Sequence, residues 1–275
     1  MIIIFAKVIG SIIFGLLAGC GAVYIFNRIP ASWLCDYGQR PENTDPYQKR
    51  IKENPWRWVY SFGFMCLCLR LSLWGTAEAF NVLPAEDAAF QIMETTQLAA
   101  AGLFACWALL MIALSDLKYM IIPDQFVLML ALTSVGFVPF FRTPEFVRGM
   151  LEHLGLPSSG STGMDASLAS SPIWHPIFGF IIGGGFMLLV ALIGKLFTRK
   201  EVLGFGDVKL CAALGLVLGI QGTAITMVLA ILAGGVIAAI GLMSGRLKKD
   251  SVMPMGPSIC GSAMAYILIA MPLLI

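Results

Sequence analysis

The chain has 275 residues, of which 58% are hydrophobic and only 12% are charged. Soluble proteins carry about 25% charged residues, so this composition indicates a membrane protein. It excludes a disordered chain, a nucleic-acid-binding domain and an ordinary water-soluble enzyme. The net charge of +2 at pH 7 does not point to an acidic partner, because the placement of charges matters more than their sum.

Apolar runs of about 20 residues, the length that crosses a bilayer as a helix, recur along the whole chain. They predict an all-α, polytopic transmembrane bundle with eight spans. The segment between the second and third spans, residues 81–96, is predicted to be a loop. The spans are expected near residues 8–27, 58–80, 97–115, 120–141, 176–197, 208–222, 223–244 and 256–275.

The basic residues predict how these spans are oriented, because Lys and Arg stay on the cytoplasmic side of a membrane. Most of the 18 Lys and Arg residues lie in alternate connections, such as residues 28–57 and 195–209. The opposite connections contain few, among them Arg142 and Arg148. We therefore expect both termini on the outer, periplasmic side of a bacterial inner membrane and the basic loops in the cytoplasm.

Two acidic residues lie beside apolar spans, where carboxylates are costly and usually functional. Asp116 closes the third predicted span, and Asp207 opens the sixth. The orientation above places both at cytoplasmic ends, so they can meet. Two neighbouring carboxylates cannot both ionise, and one then serves as an acid while the other serves as a base. Such a pair can activate water against a peptide carbonyl.

The residues around these acids allow a simpler interpretation as well. Asp207 could be a helix cap, and Asp116 an ordinary charge at the membrane surface. Asp124, after Pro123, is interpreted mainly as a residue that starts the next helix. Gly204 and Gly206 are expected to let the backbone approach closely or turn tightly just before Asp207, although a Gly-x-Gly-Asp tetrapeptide alone is a weak signal.

Four sequence blocks together make the chain resemble the type IV prepilin peptidases, membrane aspartic proteases of the Gly-x-Gly-Asp class. Those enzymes share blocks of this kind in the same order. The blocks here are Asn27-Arg28-Ile29-Pro30, Asp116 with Ile-Ile-Pro123-Asp124, Gly204-Phe-Gly-Asp207-Val-Lys-Leu210, and Met253-Pro-Met-Gly256-Pro257.

The resemblance implies an enzyme that removes the basic leader of prepilins or pseudopilins after a glycine, at the cytoplasmic face. It makes Asp116 and Asp207 the catalytic pair and requires no cofactor for the cleavage. Gly204 and Gly206 would shape the site, and Pro123, Asp124 and Lys209 belong to the matching motifs without an assigned chemical role. The implied partners are the prepilin substrates and the lipid bilayer, with no nucleic acid.

One departure concerns the first cytoplasmic loop. Many relatives carry two Cys-x-x-Cys pairs there, a zinc signature, and also methylate the new N-terminus with S-adenosylmethionine. Residues 28–57 contain Cys35 alone. We therefore expect no metal in this loop and leave the methyltransferase activity open. Residues 1–57 are interpreted as the first helix and this loop, and residues 58–275 as the peptidase domain.

Two other functions compete with this interpretation. A transporter could use Asp116 and Asp207 as a proton relay, although transporter sites usually lie near the midplane of the membrane. An inactive scaffold for secretion assembly would tolerate the loss of both acids. Arg70, near the middle of the second span, has no assigned partner. The sequence identifies neither the particular prepilin nor the oligomeric state.

Overall fold

The computed structural model describes residues 2–30, 33–34, 51, 55–82, 85–137, 174–198, 204–245 and 254–270. All regular structure in these ranges is helical, and they contain no strand, in agreement with the all-α prediction. The chain divides into two compact units, Met1–Phe126 and Val127–Ile275. Each unit is described by itself.

The first unit contains three long helices, α1 (Ile2–Phe26), α2 (Trp56–Val82) and α3 (Ala85–Tyr119). Helix α4 (Asp124–Thr133) begins in this unit and continues as the 3-10 turn Ser134–Phe137. The predicted loop over residues 81–96 is wrong, because α2 reaches Val82 and α3 already begins at Ala85. Hydropathy detects only the apolar part of α3, whereas its first turns are polar but rich in helix-forming Ala, Glu and Gln.

Small residues bring α1 and α2 into close contact. A Cβ atom at Gly19 would overlap the backbone of Ser61, and one at Gly15 would overlap the backbone of Met65. These pairings run in opposite directions along the chain, so α1 and α2 are antiparallel. Such close approach of glycine-bearing helices is typical of membrane bundles.

Aromatic pairs fix the direction of α1 relative to α3. The rings of Phe14 and Phe104 lie 6.1 Å apart, and those of Phe26 and Tyr119 also lie 6.1 Å apart. The pair later in α1 is also the pair later in α3, so the two helices are parallel. The carboxyl ends of α1 and α3 therefore lie at the same end of the first unit.

The second unit contains α5 (Trp174–Thr198), α6 (Phe205–Met243) and α7 (Gly256–Ala265), which continues as the π-helical turn Tyr266–Ala270. Helix α6 is interrupted at Gly219, whose φ of 67° and ψ of −171° are not helical. A positive φ is accessible to glycine at little cost. This glycine divides α6 into a first arm, residues 205–218, and a second arm, residues 220–243.

The contacts of α5 show that the chain reverses at Gly219. A Cβ at Gly179 would overlap the carbonyl oxygen of Gly215, whereas one at Gly183 would lie 2.5 Å from the carbonyl oxygen of Cys211. The first arm is therefore antiparallel to α5. On the second arm the order is the opposite, since Gly179 faces Gly219 and Gly183 faces Thr223. The two arms therefore run in opposite directions.

Four helices in the described ranges are long and apolar enough to cross a membrane: Val8–Phe26, Thr96–Tyr119, Pro176–Leu196 and Phe205–Met243. Two shorter apolar helices are Asp124–Phe137 and Gly256–Ile269. The sequence predicts that the sixth span ends at residue 222 and that the seventh begins at residue 223. The chain reverses at Gly219, three residues earlier than this predicted end. Eight crossings and the orientation of the termini stay predictions, as does the division of the chain at residue 57.

Candidate active site

Asp116 lies in the last turn of α3, the most buried of the long apolar helices. Its side chain is only 6% exposed, and it follows Leu109, Met111 and Ile112, which are fully buried. The helix ends one turn beyond the acid, where Met120 has a positive φ of 57° and its N–H donates to the carbonyl oxygen of Asp116 at 2.9 Å. The predicted position of Asp116 at a helix end is confirmed.

Pro123 and Asp124 form the start of the next helix. Pro123 is buried, and its carbonyl oxygen accepts a hydrogen bond from the N–H of Phe126 at 3.1 Å. Asp124 is the first residue of α4 and is exposed to solvent. A carboxylate in the first turn stabilises a helix through the helix dipole, in keeping with the interpretation of Asp124 as a helix-start residue.

The side chain of Asn27, at the end of α1, binds the backbone of Ile51 near the end of the basic loop, residues 28–57. The sequence did not indicate this role. The Nδ2 of Asn27 donates to the carbonyl oxygen of Ile51 at 3.0 Å, and its Oδ1 accepts from the N–H of Ile51 at 3.0 Å. Ile51 is only 6% exposed. The amide group thus satisfies both backbone groups of one buried residue, as a neighbouring strand would.

Aromatic side chains join this loop to the turn after Asp116. The ring of Trp33 lies 6.2 Å from that of Phe126 at the start of α4, and the ring of Trp107 lies 6.3 Å from it on another side. Both contacts are edge-to-face, the favourable geometry for aromatic pairs. Two of the four sequence blocks, those of Asn27 and Asp116, therefore lie at the same end of the first unit.

Replacing Asn27 with Ala is expected to lower the free energy of unfolding by about 1–3 kcal/mol, because it leaves the buried backbone groups of Ile51 without partners. Thermal unfolding of the purified protein measures this loss. Tyr24→Phe is the control, since it removes an exposed hydroxyl that accepts a hydrogen bond from the exposed Arg28 in the same region. Equal melting temperatures for Asn27→Ala and the control would contradict the proposed role of Asn27.

Asp207 is the third residue of α6, and its side chain is half-buried. Gly204 precedes the helix with φ −68° and ψ 140°, and its carbonyl oxygen accepts from the N–H of Asp207 at 3.1 Å. Two residues further, the ammonium of Lys209 lies 5.2 Å from the centre of the Phe205 ring. The first turn of α6 thus carries the carboxylate of Asp207, and the ammonium of Lys209 lies over the ring of Phe205 in a cation–π contact.

Of the two roles expected for Gly204, a close approach and a tight turn, the structure does not show the tight turn. The φ of Gly204 is negative and extended, a conformation open to any residue, and Gly206 is not among the described residues with positive φ. The turn therefore does not require glycine. Instead, a Cβ at Gly204 would lie 3.8 Å from Oδ2 of Asp207. The missing side chain leaves one side of the carboxylate uncovered.

Replacing Gly204 with Ala is therefore expected to preserve folding, because a contact at 3.8 Å is an ordinary van der Waals distance. The prepilin cleavage that the sequence resemblance implies is nevertheless expected to fall by at least about tenfold, since the methyl group covers one side of Asp207 and each 1.4 kcal/mol of lost transition-state stabilisation costs a factor of ten. The melting temperature and the cleavage rate are measured on the same preparation. Full activity in a folded Ala variant would show that this side of Asp207 is not used.

Helix α7 brings the last sequence block to the end of the second unit that carries Asp207. A Cβ at Gly234 would lie 3.2 Å from Oγ of Ser258, and one at Gly222 would lie 2.9 Å from Cε1 of Tyr266. Helix α7 is therefore antiparallel to the second arm of α6. Because the two arms reverse at Gly219, Gly256 and Asp207 lie at the same end of the unit.

Some predicted features cannot be placed. Cys35 lies outside the described residues. Within the described ranges, no three His, Cys, Asp or Glu side chains lie close enough together to hold a metal ion. Arg70 lies on the exposed face of α2 together with Phe62 and Cys66, and its function stays open.

The comparisons with known proteins point to one family. The sequence profile of the type IV leader peptidase family matches residues 103–239, about half of the chain. This range includes both Asp116 and Asp207. No solved structure matches the chain.

Curated relatives agree with the profile, and each of three is named prepilin leader peptidase/N-methyltransferase. The protein of Bacillus subtilis is 27% identical over 58% of this chain and 52% of its own length. Those of Stutzerimonas stutzeri and Pseudomonas aeruginosa are 29% and 31% identical, each over 58% of this chain and 46% of its own length. The chain thus spans about half the length of the curated relatives that it matches. By its profile match and its relatives, this chain belongs to the type IV leader peptidase family.

Proposed function

We propose that this protein is a membrane aspartic endopeptidase that removes the basic leader of prepilins or pseudopilins by cutting after a glycine. One observation carries the proposal. In the first unit the sequence blocks of Asn27 and Asp116 lie at one end, and in the second unit the blocks of Asp207 and Gly256 lie at one end. At each of these ends an aspartate occupies the terminal turn of a helix. Asp116 occupies the last turn of α3, and Asp207 occupies the first turn of α6. Family membership supports the same reaction.

In the proposed reaction, Asp116 and Asp207 act on one peptide bond as a pair. The ionised carboxylate takes a proton from water, and the resulting hydroxide attacks the carbonyl carbon. The protonated carboxyl group donates its proton to the carbonyl oxygen. The tetrahedral intermediate then collapses: its nitrogen receives the proton held by the first carboxyl group, the C–N bond breaks, and one of the two hydroxyl groups on the carbon returns its proton to the second carboxylate. The products are the leader with a new carboxylate and the mature protein with a new amino group.

The helix ends suggest how the two acids divide these roles. Asp207 lies at an amino-terminal turn, where the partial positive charge of the helix stabilises a carboxylate. Asp116 lies at a carboxyl-terminal turn, where the helix charge is negative, and its side chain is only 6% exposed. We therefore assign the base to Asp207 and the acid to Asp116. Each carboxyl group returns to its starting protonation state at the end of a turnover.

The placement of the reaction follows from the charge pattern. The end of α1 and the loop after it are rich in Lys and Arg, which predicts that this side faces the cytoplasm of a bacterial inner membrane. Asp116 lies at that same end of the first unit. A single-span substrate would enter laterally from the bilayer and present its leader at the cytoplasmic surface.

Methylation is a second activity that the relatives' names include. It would need S-adenosylmethionine as the methyl donor. The two Cys-x-x-Cys pairs that the family resemblance would place in the first loop are missing here, since residues 28–57 contain Cys35 and no histidine. This donor set does not fit a structural zinc ion, which takes four Cys or His ligands. Whether methylation persists without such a loop is decided by the following experiment.

The test is the intact mass of a model prepilin produced together with this protein in a host that lacks other prepilin peptidases. We expect the substrate to lose the mass of its leader only when the protein is present. A further gain of one methyl group would show that methylation does not need the zinc cysteines. An uncut prepilin alongside a correctly inserted protein would contradict the proposed function, and pH-gradient-dependent flux into vesicles would then favour a transporter.

A further inference from the structure

Two hydroxyl groups are buried at the interface between the second arm of α6 and the continuation of α7. The side chain of Thr226 is 1% exposed and that of Tyr266 is 2% exposed. Neither Thr226 Oγ1 nor the Tyr266 hydroxyl has a hydrogen-bond partner among the described residues. A buried polar group without a partner is destabilising, so native proteins rarely leave one unpaired.

The two side chains are held on facing surfaces of the same interface. A Cβ at Gly222 would lie 2.9 Å from Cε1 and 3.0 Å from Cζ of Tyr266, so the hydroxyl end of the ring packs against the backbone of Gly222. Thr226 lies one helical turn beyond Gly222 and on the same face of the helix. The glycine thus makes room for a tyrosine whose hydroxyl points toward this face.

The neighbouring threonine shows that Thr226 is not paired in the usual way. Thr223 Oγ1 donates to the carbonyl oxygen of Gly219 at 2.6 Å, the common bond of a helical threonine to the residue four positions earlier. Gly222 is the residue four positions before Thr226, so its carbonyl oxygen would be the usual acceptor. Thr226 Oγ1 does not bond to it. The hydroxyl of Thr226 is therefore free to bind a group across the interface.

The backbone beside Tyr266 is irregular as well. Tyr266 is the first residue of the π-helical turn Tyr266–Ala270. Such turns are rare, widen the helix and are frequent at functional sites. The irregular turn thus begins at the tyrosine of this interface.

We propose that Thr226 and Tyr266 form a buried site that binds one water molecule, which bridges the two hydroxyls. Each hydroxyl can both donate and accept, and a buried water typically makes two to four hydrogen bonds of this kind. The bound water would join the second arm of α6 to the π-helical turn. This proposal does not depend on the peptidase activity.

The test is a double-mutant cycle with Tyr266→Phe and Thr226→Val, which remove the hydroxyls and keep the shapes of the side chains. We expect each single variant of the purified full-length protein to melt about 2–4 °C lower, because each loses hydrogen bonds to the shared water. The double variant should melt no lower than the less stable single variant, because the water is already lost.

Thr223→Val is the matched control, because the Thr223 hydroxyl has its own protein partner. Its effect should add to that of Tyr266→Phe. Unchanged or higher melting temperatures in the single variants would show that the hydroxyls bind nothing, which would overturn the proposal. Additive losses for Tyr266→Phe and Thr226→Val would also overturn it, because they would mean separate partners.

Discussion

Replacing either Asp116 or Asp207 with Asn is expected to abolish prepilin cleavage without unfolding the protein. Asn keeps the shape of the side chain but can neither take a proton from water nor donate one to the carbonyl oxygen. A positioned acid or base contributes about 10²–10⁴-fold to a rate, so each variant should lose at least about 100-fold in cleavage. The double variant should be no worse than either single one, because the two acids act as a unit.

Asp124→Asn is the matched control for these variants. It makes the same chemical change eight residues from Asp116, at an exposed position in the first turn of α4. We expect it to keep most of the activity and to lose only the small helix-dipole stabilisation of about 0.3–1 kcal/mol. Near-normal cleavage by folded Asp116→Asn or Asp207→Asn protein would remove that residue from the catalytic pair. Cleavage is measured as the rate of leader loss by mass spectrometry.

Replacing Gly215 with Ala is expected to cause the largest loss of stability among the substitutions considered. The added Cβ would overlap the carbonyl group of Gly179, so α5 and the first arm of α6 must separate along their whole contact. Overpacking costs about 1–3 kcal/mol, and here the obstacle is backbone that cannot change rotamer. We expect a lower melting temperature and less folded protein in the membrane fraction.

Gly185→Ala, on the neighbouring helix α5, is the control, because nothing lies within 4 Å of a Cβ built at Gly185. Alanine is favoured over glycine in a helix by about 1 kcal/mol, so this variant should be unchanged or more stable. The two glycine substitutions thus have opposite expected signs. If Gly215→Ala melted at the same temperature as Gly185→Ala, the close packing of α5 on α6 would be wrong.

Hydropathy and charge pattern located most of the helices, and the two aspartates lie at helix ends as expected. The residues around them explain why this worked. A carboxylate at the end of an apolar run is conspicuous because the membrane excludes charge from the run itself. Gly183 and Gly184 lie against the first arm of α6, as small residues in membrane helices commonly do.

Other features could not be read from the sequence. Gly219 is one of 29 glycines, and no local signal separates a helix-breaking glycine from one that only packs. The pairing of Asn27 with Ile51 joins residues 24 positions apart, and an isolated Asn does not indicate its partner. The amino-terminal extension of α3 was missed because hydropathy reports the membrane crossing, whereas helix length depends also on polar helix formers.

The most direct test of the catalytic pair is a cross-link between positions 116 and 207. In a variant whose 7 native cysteines are replaced, Asp116→Cys and Asp207→Cys are combined in one chain and treated with a short bifunctional thiol reagent. Each single-cysteine variant is first shown to react with the reagent. If the two carboxylates act on one peptide bond, intact mass should show one linker joining both cysteines within a single chain. Two separately modified cysteines without a cross-link would contradict the proposed pair.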